Sequence, residues 1–195
     1  MIEKHINLLL KHARAEILRY YRIDSCIIST RVAVEVMKQL GYAAYPQSVA
    51  CSVYNAAMVK RIQKLGWPSS QEEFQAWIKE DPSIWSVAIG HRHPGETGFV
   101  GHLVAIIEKN ILVDLSLDQA SRPQYNMELC PYARIVTDEF LKGEKSVAIV
   151  NDMAIAYEIT NESDWKLSSN WTDKRQYEPL VAAVLDKMKV EQMVS

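Results

Sequence analysis

The chain has few cysteines, little glycine and proline, and no excess of charge of either sign. Its 195 residues include three cysteines, seven glycines and seven prolines. Cys26, Cys51 and Cys130 form no close pair and no Cys-x-x-Cys motif, which argues against a disulfide framework or a zinc site and indicates free thiols in a reducing compartment. The formal net charge of −2 argues against a nucleic-acid-binding surface.

Long hydrophobic runs are also absent. No stretch approaches the ~20 consecutive apolar residues that a membrane span needs. The run Leu8-Leu9-Leu10 is too short for a secretory signal peptide. We therefore expect a cytoplasmic protein that makes no membrane contact. With 48% hydrophobic and 24% charged residues the composition is typical of globular proteins, and we expect residues 1–195 to form a single domain.

Hydrophobic periodicity predicts helices first and mostly antiparallel strands afterwards. Asp24 or Ser25 is a suitable N-cap for the second helix. The predicted helices cover 2–20, 24–40, 56–83 (broken at Gly66-Trp67-Pro68) and 178–193, and the predicted strands cover 43–55, 84–90, 102–107, 111–117, 146–150 and 153–160. This order predicts an α+β fold in which N-terminal helices pack on an antiparallel β-sheet.

Cys26 lies in the predicted first turn of the helix over 24–40, which makes it the candidate nucleophile. The thiolate is the reactive form of cysteine, and the unpaired N–H groups and the dipole at a helix N-terminus favour an anion. The same N–H groups can donate to a developing oxyanion. The alternative interpretation is a small buried thiol on a core helix.

His102 and Asp114 lie on consecutive predicted strands, where a carboxylate can fix the tautomer of an imidazole and stabilise its charged form. A two-residue loop between the strands would place the two side chains on opposite faces of the sheet. A three-residue loop over 108–110 pairs Ile107 with Ile111 and brings both side chains onto one face. The candidate triad therefore requires the longer loop.

Two details of this hairpin stay open to alternatives. The last residue of the loop, Asn110, is expected to adopt the left-handed conformation that such a loop usually needs. Asp118 is a second candidate for the orienting carboxylate, because it lies near the position opposite His102 in the same register.

Two stretches resemble the transglutaminase-like core of the papain-like cysteine enzymes. DSCIISTRVAVEVMKQLGYAAYPQSV is similar to the Cys-bearing helix and the strand after it, and GHLVAIIEKNILVDLSLDQASRP is similar to the His and Asp strands. The resemblance covers about residues 20–123. It implies a papain-like/transglutaminase-like α+β fold with Cys26 as nucleophile, His102 as general base and Asp114 as the residue that orients the imidazole.

The His and Asp strands are also similar to those of the arylamine N-acetyltransferases. Arg22, four residues before Cys26, matches the first position of their Arg-Gly-Gly-x-Cys motif, but Ile23-Asp24 replaces the two glycines. The papain-type resemblance implies a polar oxyanion donor a few residues upstream of the cysteine, for which the sequence offers Tyr20-Tyr21.

The resemblance implies a thiol-dependent acyl-transfer enzyme that forms a covalent acyl-enzyme: an amide or peptide hydrolase, a transglutaminase-like enzyme or an acyltransferase. The expected substrate is a protein, a peptide or a small acyl compound. No metal or organic cofactor is implied, and an acyl-CoA donor applies only to the acetyltransferase version. The alternative is a papain-like fold with an inert Cys26 that serves as a protein-binding or regulatory module.

Other polar and aromatic residues have weaker interpretations. His91 and His93 can chelate a metal ion from one side, but no third ligand is evident, and solvated loop histidines are the commoner case. Gln119 and Arg122 are expected to cap the loop after the Asp strand, with substrate binding as the alternative. Trp85 is the aromatic residue best placed for a substrate pocket, because its strand is expected beside the His strand.

Overall fold

The computed structural model describes residues 1–90 and 99–194. Within these residues the chain forms α1 Ile2–Ile17, α2 Cys26–Gln39, α3 Ala56–Leu65, α4 Gln71–Glu80, α5 Asp138–Leu141, α6 Ser169–Thr172 and α7 Lys174–Val194. Short 3-10 helices cover Leu117–Ala120, Pro123–Tyr125 and Asp164–Leu167. No helix of the described part is long and apolar enough to cross a bilayer.

The strands of the described residues form one curled antiparallel sheet. They are β1 Ala44–Tyr54, β2 Ser86–Ile89, β3 His102–Ile107, β4 Ile111–Asp114, β5 Tyr132–Ile135, β6 Ser146–Val150 and β7 Met153–Ile159. Their order is β5-β4-β3-β1-β7-β6, and β2 pairs with the second half of β1. Helices and an antiparallel sheet therefore form the predicted α+β architecture.

Each face of the sheet buries its own apolar core. Three helices, α1, α2 and α7, cover one face, where Ile28 and Val184 pack with sheet residues such as Ala105. The opposite face buries Val104 and Ile106 of β3 together with residues of β1, β4 and β7. Because β3 is covered on both sides, all six of its residues are buried, which matches its unbroken apolar run after His102.

Local turn chemistry explains several boundaries. Asn151 and Asp152 have φ angles of 48° and 63°, as the predicted two-residue hairpin between β6 and β7 requires. Gly41, with a φ of +87°, follows α2 and ends it. The helical segment breaks after Leu65 as predicted, and the side chain of Ser70 caps α4 by accepting from the backbone N–H of Glu73.

Other boundaries differ from the predictions. Strand β4 ends at Asp114 instead of continuing to 117, because Leu117–Ala120 turns into a 3-10 helix. The prediction that the strand over 84–90, which contains Trp85, lies beside the His strand was wrong. The strand β2 begins only at Ser86, and β2 and β3 pair with different halves of β1. Strand β5 and helix α5 were not predicted; each has only four residues, too few for a periodic pattern to be recognised.

Candidate functional site

Cys26 is the first residue of α2, as its predicted role requires, and its side chain is partly exposed. Ser25 occupies the N-cap position but makes no side-chain hydrogen bond to the helix. Its hydroxyl instead accepts a hydrogen bond from the Arg14 guanidinium at 2.8 Å. The first N–H groups of a helix have no intrahelical acceptor. The start of α2 therefore offers donors that favour an anion on the sulfur or on a bound oxygen.

The hairpin of β3 and β4 forms in the predicted register. Ile107 pairs with Ile111 across a three-residue loop, so His102 and Asp114 lie on the same face of the sheet. The Nε2 atom of His102 lies 2.6 Å from Oδ2 of Asp114, and both side chains are fully buried. Of the two candidate carboxylates, Asp114 therefore contacts the imidazole.

The left-handed residue of this loop is Glu108, with a φ of 53°, so the expectation for Asn110 was wrong. The Asn110 side chain instead donates to the backbone carbonyl of Val136 at 3.0 Å. The backbone N–H of Glu108 in turn donates to the carbonyl of Ala43. Hydrogen bonds to residues next to β1 and β5 therefore hold both ends of this loop.

Two glycines let the backbone approach closely around His102. Gly90 has a φ of +81°, and a Cβ atom there would lie 2.8 Å from both the backbone nitrogen of His102 and the carbonyl oxygen of Val49. At Gly101 a Cβ atom would lie 2.5 Å from the ring of Phe99. A larger residue does not fit at Gly90, where the close atoms are backbone, whereas at Gly101 the Phe99 ring would have to move. Gly90 therefore helps to fix where β3 begins.

Asp114 accepts hydrogen bonds at both of its carboxylate oxygens. Besides His102, Oδ2 accepts from the hydroxyl of Tyr157 at 3.0 Å, and Oδ1 accepts from the backbone N–H of Ser116 at 3.0 Å and from the Ser116 hydroxyl at 3.4 Å. Hydrogen bonds to the charged form allow a carboxylate to stay ionised when it is buried. Burial and the charge of Asp114 raise the pKa of Tyr157 well above its usual range, so Tyr157 remains a donor.

Cys26 contributes to the electrostatics of His102. Burial alone lowers the pKa of His102, but the charge of Asp114 and hydrogen bonds to Asp114 and Cys26 outweigh burial and raise this pKa to about 10. The imidazole therefore carries a proton near neutral pH, and this proton is stabilised by the Asp114 carboxylate and by Cys26. His102 and Asp114 are in direct contact through Nε2, and Cys26 is near enough to contribute to the raised pKa of His102.

Gln119 contacts the imidazole at its other nitrogen. The side-chain nitrogen of Gln119 lies 2.6 Å from Nδ1 of His102. The sequence placed Gln119 only near the cleft, and the structure makes it a direct neighbour of the base. Arg122 follows the other expectation, since its guanidinium donates to the backbone carbonyls of Gln119 and Ser121 at 3.1 and 2.7 Å and so caps the loop.

The alternative orienting residue, Asp118, points away from the imidazole. Its carboxylate pairs with Arg14, with Oδ2 2.9 Å from Nε and Oδ1 2.7 Å from a terminal guanidinium nitrogen. Arg14 also donates to the carbonyl of Ile23 at 2.6 Å and to the hydroxyls of Ser25 and Ser29. This buried guanidinium therefore joins the turn before Cys26 to the 3-10 helix that carries Gln119.

The remaining candidates have other neighbours. Tyr20 and Tyr21 line a cavity of about 380 Å³ against α7, where the Tyr21 hydroxyl lies 3.5 Å from the Gln176 side chain. The geometry therefore gives no support to an oxyanion role for them. Trp85 stacks on Tyr125 with 4.0 Å between ring centroids.

The other two cysteines and the candidate metal ligands are not members of the candidate triad. Cys51 is fully buried in β1, as expected of a structural thiol, and Cys130 is exposed. His91 and His93 lie outside the described residues. Within the ranges 1–90 and 99–194, no group of three or more His, Cys, Asp or Glu side chains is arranged to hold a metal ion.

Sequence analysis did not single out Tyr157 or Ser116, which hold the Asp114 carboxylate. A signal for Tyr157 was present, because it shares the inward alternation of Met153 and Ile155 and so brings a hydroxyl into the core. Comparison with known proteins adds no further residue: no family model matches the chain, and no curated protein and no solved structure matches it. The geometry of the site is therefore the basis for a functional proposal.

Proposed function

We propose that the chain is a thiol-dependent acyl-transfer enzyme in which Cys26 is the nucleophile, His102 the general base and Asp114 the residue that orients the imidazole. The observation that carries the proposal is the interaction of a partly exposed thiol at a helix N-terminus with a buried imidazole that a buried carboxylate holds. A nucleophile beside a base that a third group orients is the arrangement on which covalent catalysis depends. The order of Cys helix, His strand and Asp strand also resembles the transglutaminase-like and papain-like enzymes, and the proposal extends to that fold.

In the proposed reaction His102 holds the proton of the Cys26 thiol, and the sulfur bonds to the carbonyl carbon of an amide, ester or thioester. The electron pair of the carbonyl moves to its oxygen, where N–H groups at the start of α2 donate to the oxyanion. When the oxyanion collapses, the bond to the leaving group breaks, and the leaving group takes the proton from His102. Water or an amine then attacks the acyl-enzyme, its proton passes by way of His102 to the departing sulfur, and the thiol is regenerated.

Asp114 makes this proton transfer favourable in two ways. Its hydrogen bond to Nε2 leaves Nδ1 as the nitrogen that exchanges the proton. Its charge contributes to the raised pKa of His102, which lets the imidazole keep a proton taken from the thiol. Tyr157 and Ser116 hold the carboxylate in place, so the imidazole has one preferred orientation.

The alkylation of each cysteine by iodoacetamide between pH 5 and 9, measured by peptide mass spectrometry, tests the proposal. Cys130 is an internal reference in the same sample because it is exposed. The alkylation rate of an ordinary thiol falls about tenfold per pH unit below its pKa near 8.5. We expect Cys26 to keep most of its rate down to pH 6 in the wild type and to lose it with falling pH in His102→Ala.

A second measurement tests acyl transfer itself. With p-nitrophenyl acetate, the wild type is expected to release a burst of p-nitrophenol equal to the enzyme concentration and to gain one acetyl group at Cys26 by mass. Cys26→Ala abolishes both signals. An inert thiol, as in the binding-module alternative, gives no burst, and its alkylation is unaffected by His102→Ala. That result would reject the enzyme proposal.

A further inference from the structure

One side chain of the helix that begins with Cys26 is bonded directly to the strand that carries the imidazole. The hydroxyl of Thr30 on α2 donates to the backbone carbonyl of Leu103 on β3 at 2.7 Å. Thr30 lies four residues after Cys26, and residues four apart share one face of a helix. Leu103 follows His102 directly. A single hydrogen bond therefore joins the helical turn after the candidate nucleophile to the residue next to the candidate base.

The course of the sheet explains why the Leu103 carbonyl is available to a side chain. Along an antiparallel strand, successive residues bond alternately to the neighbouring strand on one side and on the other. The N–H of Glu108 bonds to Ala43, which precedes β1, so the alternation directs Leu103, five residues earlier, towards β4. The pairing with β4, however, covers only residues 105–107 of β3. Thr30 therefore supplies a donor where β4 no longer runs beside β3.

Both partners of this hydrogen bond lie in the core. Thr30 is 3% exposed, and Leu103 is fully buried. A buried hydroxyl is costly unless it has a polar partner. A threonine hydroxyl inside a helix can bond back to the carbonyl four residues earlier, whereas Thr30 donates its hydrogen to β3. The bond therefore holds α2 against β3.

The start of α2 has a second attachment, on a different element. Arg14 donates to the hydroxyls of Ser25 and Ser29 and pairs with Asp118, which lies on the 3-10 helix after β4. Arg14 therefore holds the start of α2 to that 3-10 helix, and Thr30 holds the next turn to β3. Of these two attachments, the Thr30 bond is the one that reaches the strand of the imidazole.

We propose that Thr30 is a positioning residue that sets the distance between the sulfur of Cys26 and the imidazole of His102 by tying α2 to β3. The inference rests on the proposed function and names a residue that controls its geometry. The attraction between a thiolate and an imidazolium falls as their separation grows, and misplacing a reacting group by about 1 Å can lower a rate about a hundredfold. The bond between helix and strand therefore controls both the stability of the thiolate and the rate of acylation.

Substitutions at position 30 separate the hydrogen bond from the packing of the side chain. Thr30→Val keeps the volume and removes the donor, so that the buried Leu103 carbonyl draws water between α2 and β3. The pH of half-maximal alkylation of Cys26 is then expected to rise by about half to one unit, with Cys130 as the internal reference. Thr30→Ser loses a methyl group but keeps the donor, and it is expected to retain the wild-type profile.

The reaction with p-nitrophenyl acetate gives a second readout. The value of kcat/KM, which reports acylation, is expected to fall about tenfold in Thr30→Val and to stay within about twofold of the wild type in Thr30→Ser. Thr137→Val is the matched control, because it also removes a hydroxyl that makes a hydrogen bond, at the N-cap of α5. This control is expected to lower the melting temperature and to leave the Cys26 profile unchanged.

A shift in Thr30→Val that Thr30→Ser does not share is the signature of the inference. An unchanged profile in Thr30→Val would overturn it, and so would equal shifts in both variants, because packing alone would then explain them. If thermal unfolding shows that Thr30→Val does not fold, Thr30→Ser against Thr30→Ala makes the same comparison with smaller side chains. The two proposals fail separately: if His102→Ala alters the Cys26 profile and Thr30→Val does not, the triad stands and only the role of Thr30 is rejected.

Discussion

Arg14 is the residue on which the geometry around Cys26 depends, and its replacement by methionine gives the clearest test of that geometry. The guanidinium is 4% exposed and pairs with Asp118 while donating to the turn before α2. Methionine has a similar length and keeps the apolar contacts of the stem. Arg14→Met therefore removes the charge and the donors with little change in packing.

The expected loss of unfolding free energy follows from the Asp118 charge that Arg14→Met leaves without its partner. Removing one partner of a buried ion pair costs about 3–5 kcal/mol, because the other charge stays buried without compensation. The Asp118 side chain is 17% exposed, so water partly replaces the lost partner. We therefore expect the lower end, about 3 kcal/mol of unfolding free energy. For a chain of this size that corresponds to a fall in Tm of about 6–12 °C.

Urea denaturation of a double-mutant cycle measures this pair directly. The variants are Arg14→Met, Asp118→Leu and the double variant, which removes both charges. Because the double variant leaves neither partner uncompensated, it is expected to lose less than the sum of the single losses, by about 2 kcal/mol. The exposed Arg19, paired with Glu16, is the matched control, and Arg19→Met should change stability little. Additive losses across the cycle would refute the proposed coupling.

Two further predictions concern the groups behind the triad. Tyr157→Phe removes the 3.0 Å hydrogen bond to Oδ2 of Asp114 and should lower the free energy of unfolding in urea by about 2 kcal/mol; unchanged stability would show that this bond contributes nothing. Burial and the charge of Asp114 raise the pKa of Cys51 well above its usual range. The protonated Cys51 thiol therefore contributes its full share of folding stability below the pKa of a cysteine in the unfolded chain, about 8.5, and this share is lost as pH rises above that value. The wild type should therefore lose about 1.4 kcal/mol more stability than Cys51→Ala between pH 7.5 and 9.5, and equal losses would mean that the folded thiol ionises like the unfolded one.

Several parts of the site were predictable because short stretches of sequence determine them. The start of a helix near Cys26 follows from an apolar periodicity that begins just after polar residues. The placement of His102 and Asp114 on one face of the sheet follows from two apolar runs and the length of the loop between them, since successive side chains of a strand point to opposite faces. Both predictions were confirmed by the structure.

Other parts could not be predicted, because they depend on contacts between residues far apart in the chain. Tyr157 lies 43 positions after Asp114, and β7 is three strands away from β4 in the sheet order. Only the curl of the sheet brings the hydroxyl to the carboxylate. The role of Asp118 was missed for the same reason, since its partner Arg14 lies 104 positions earlier on α1.

The sequence by itself determined the local elements of this protein: an amphipathic α1, a helix that begins near Cys26, and a β3–β4 hairpin whose loop length puts His102 and Asp114 on one face. Periodicity and turn chemistry act over a few residues and are therefore visible without a structure. The tertiary structure decided which groups meet: Gln119 with Nδ1 of His102, Tyr157 with Asp114, and the buried Arg14 with Asp118 and the turn before Cys26. These contacts depend on how the helices and the sheet pack, because a buried polar group can bond only to the groups that packing places beside it.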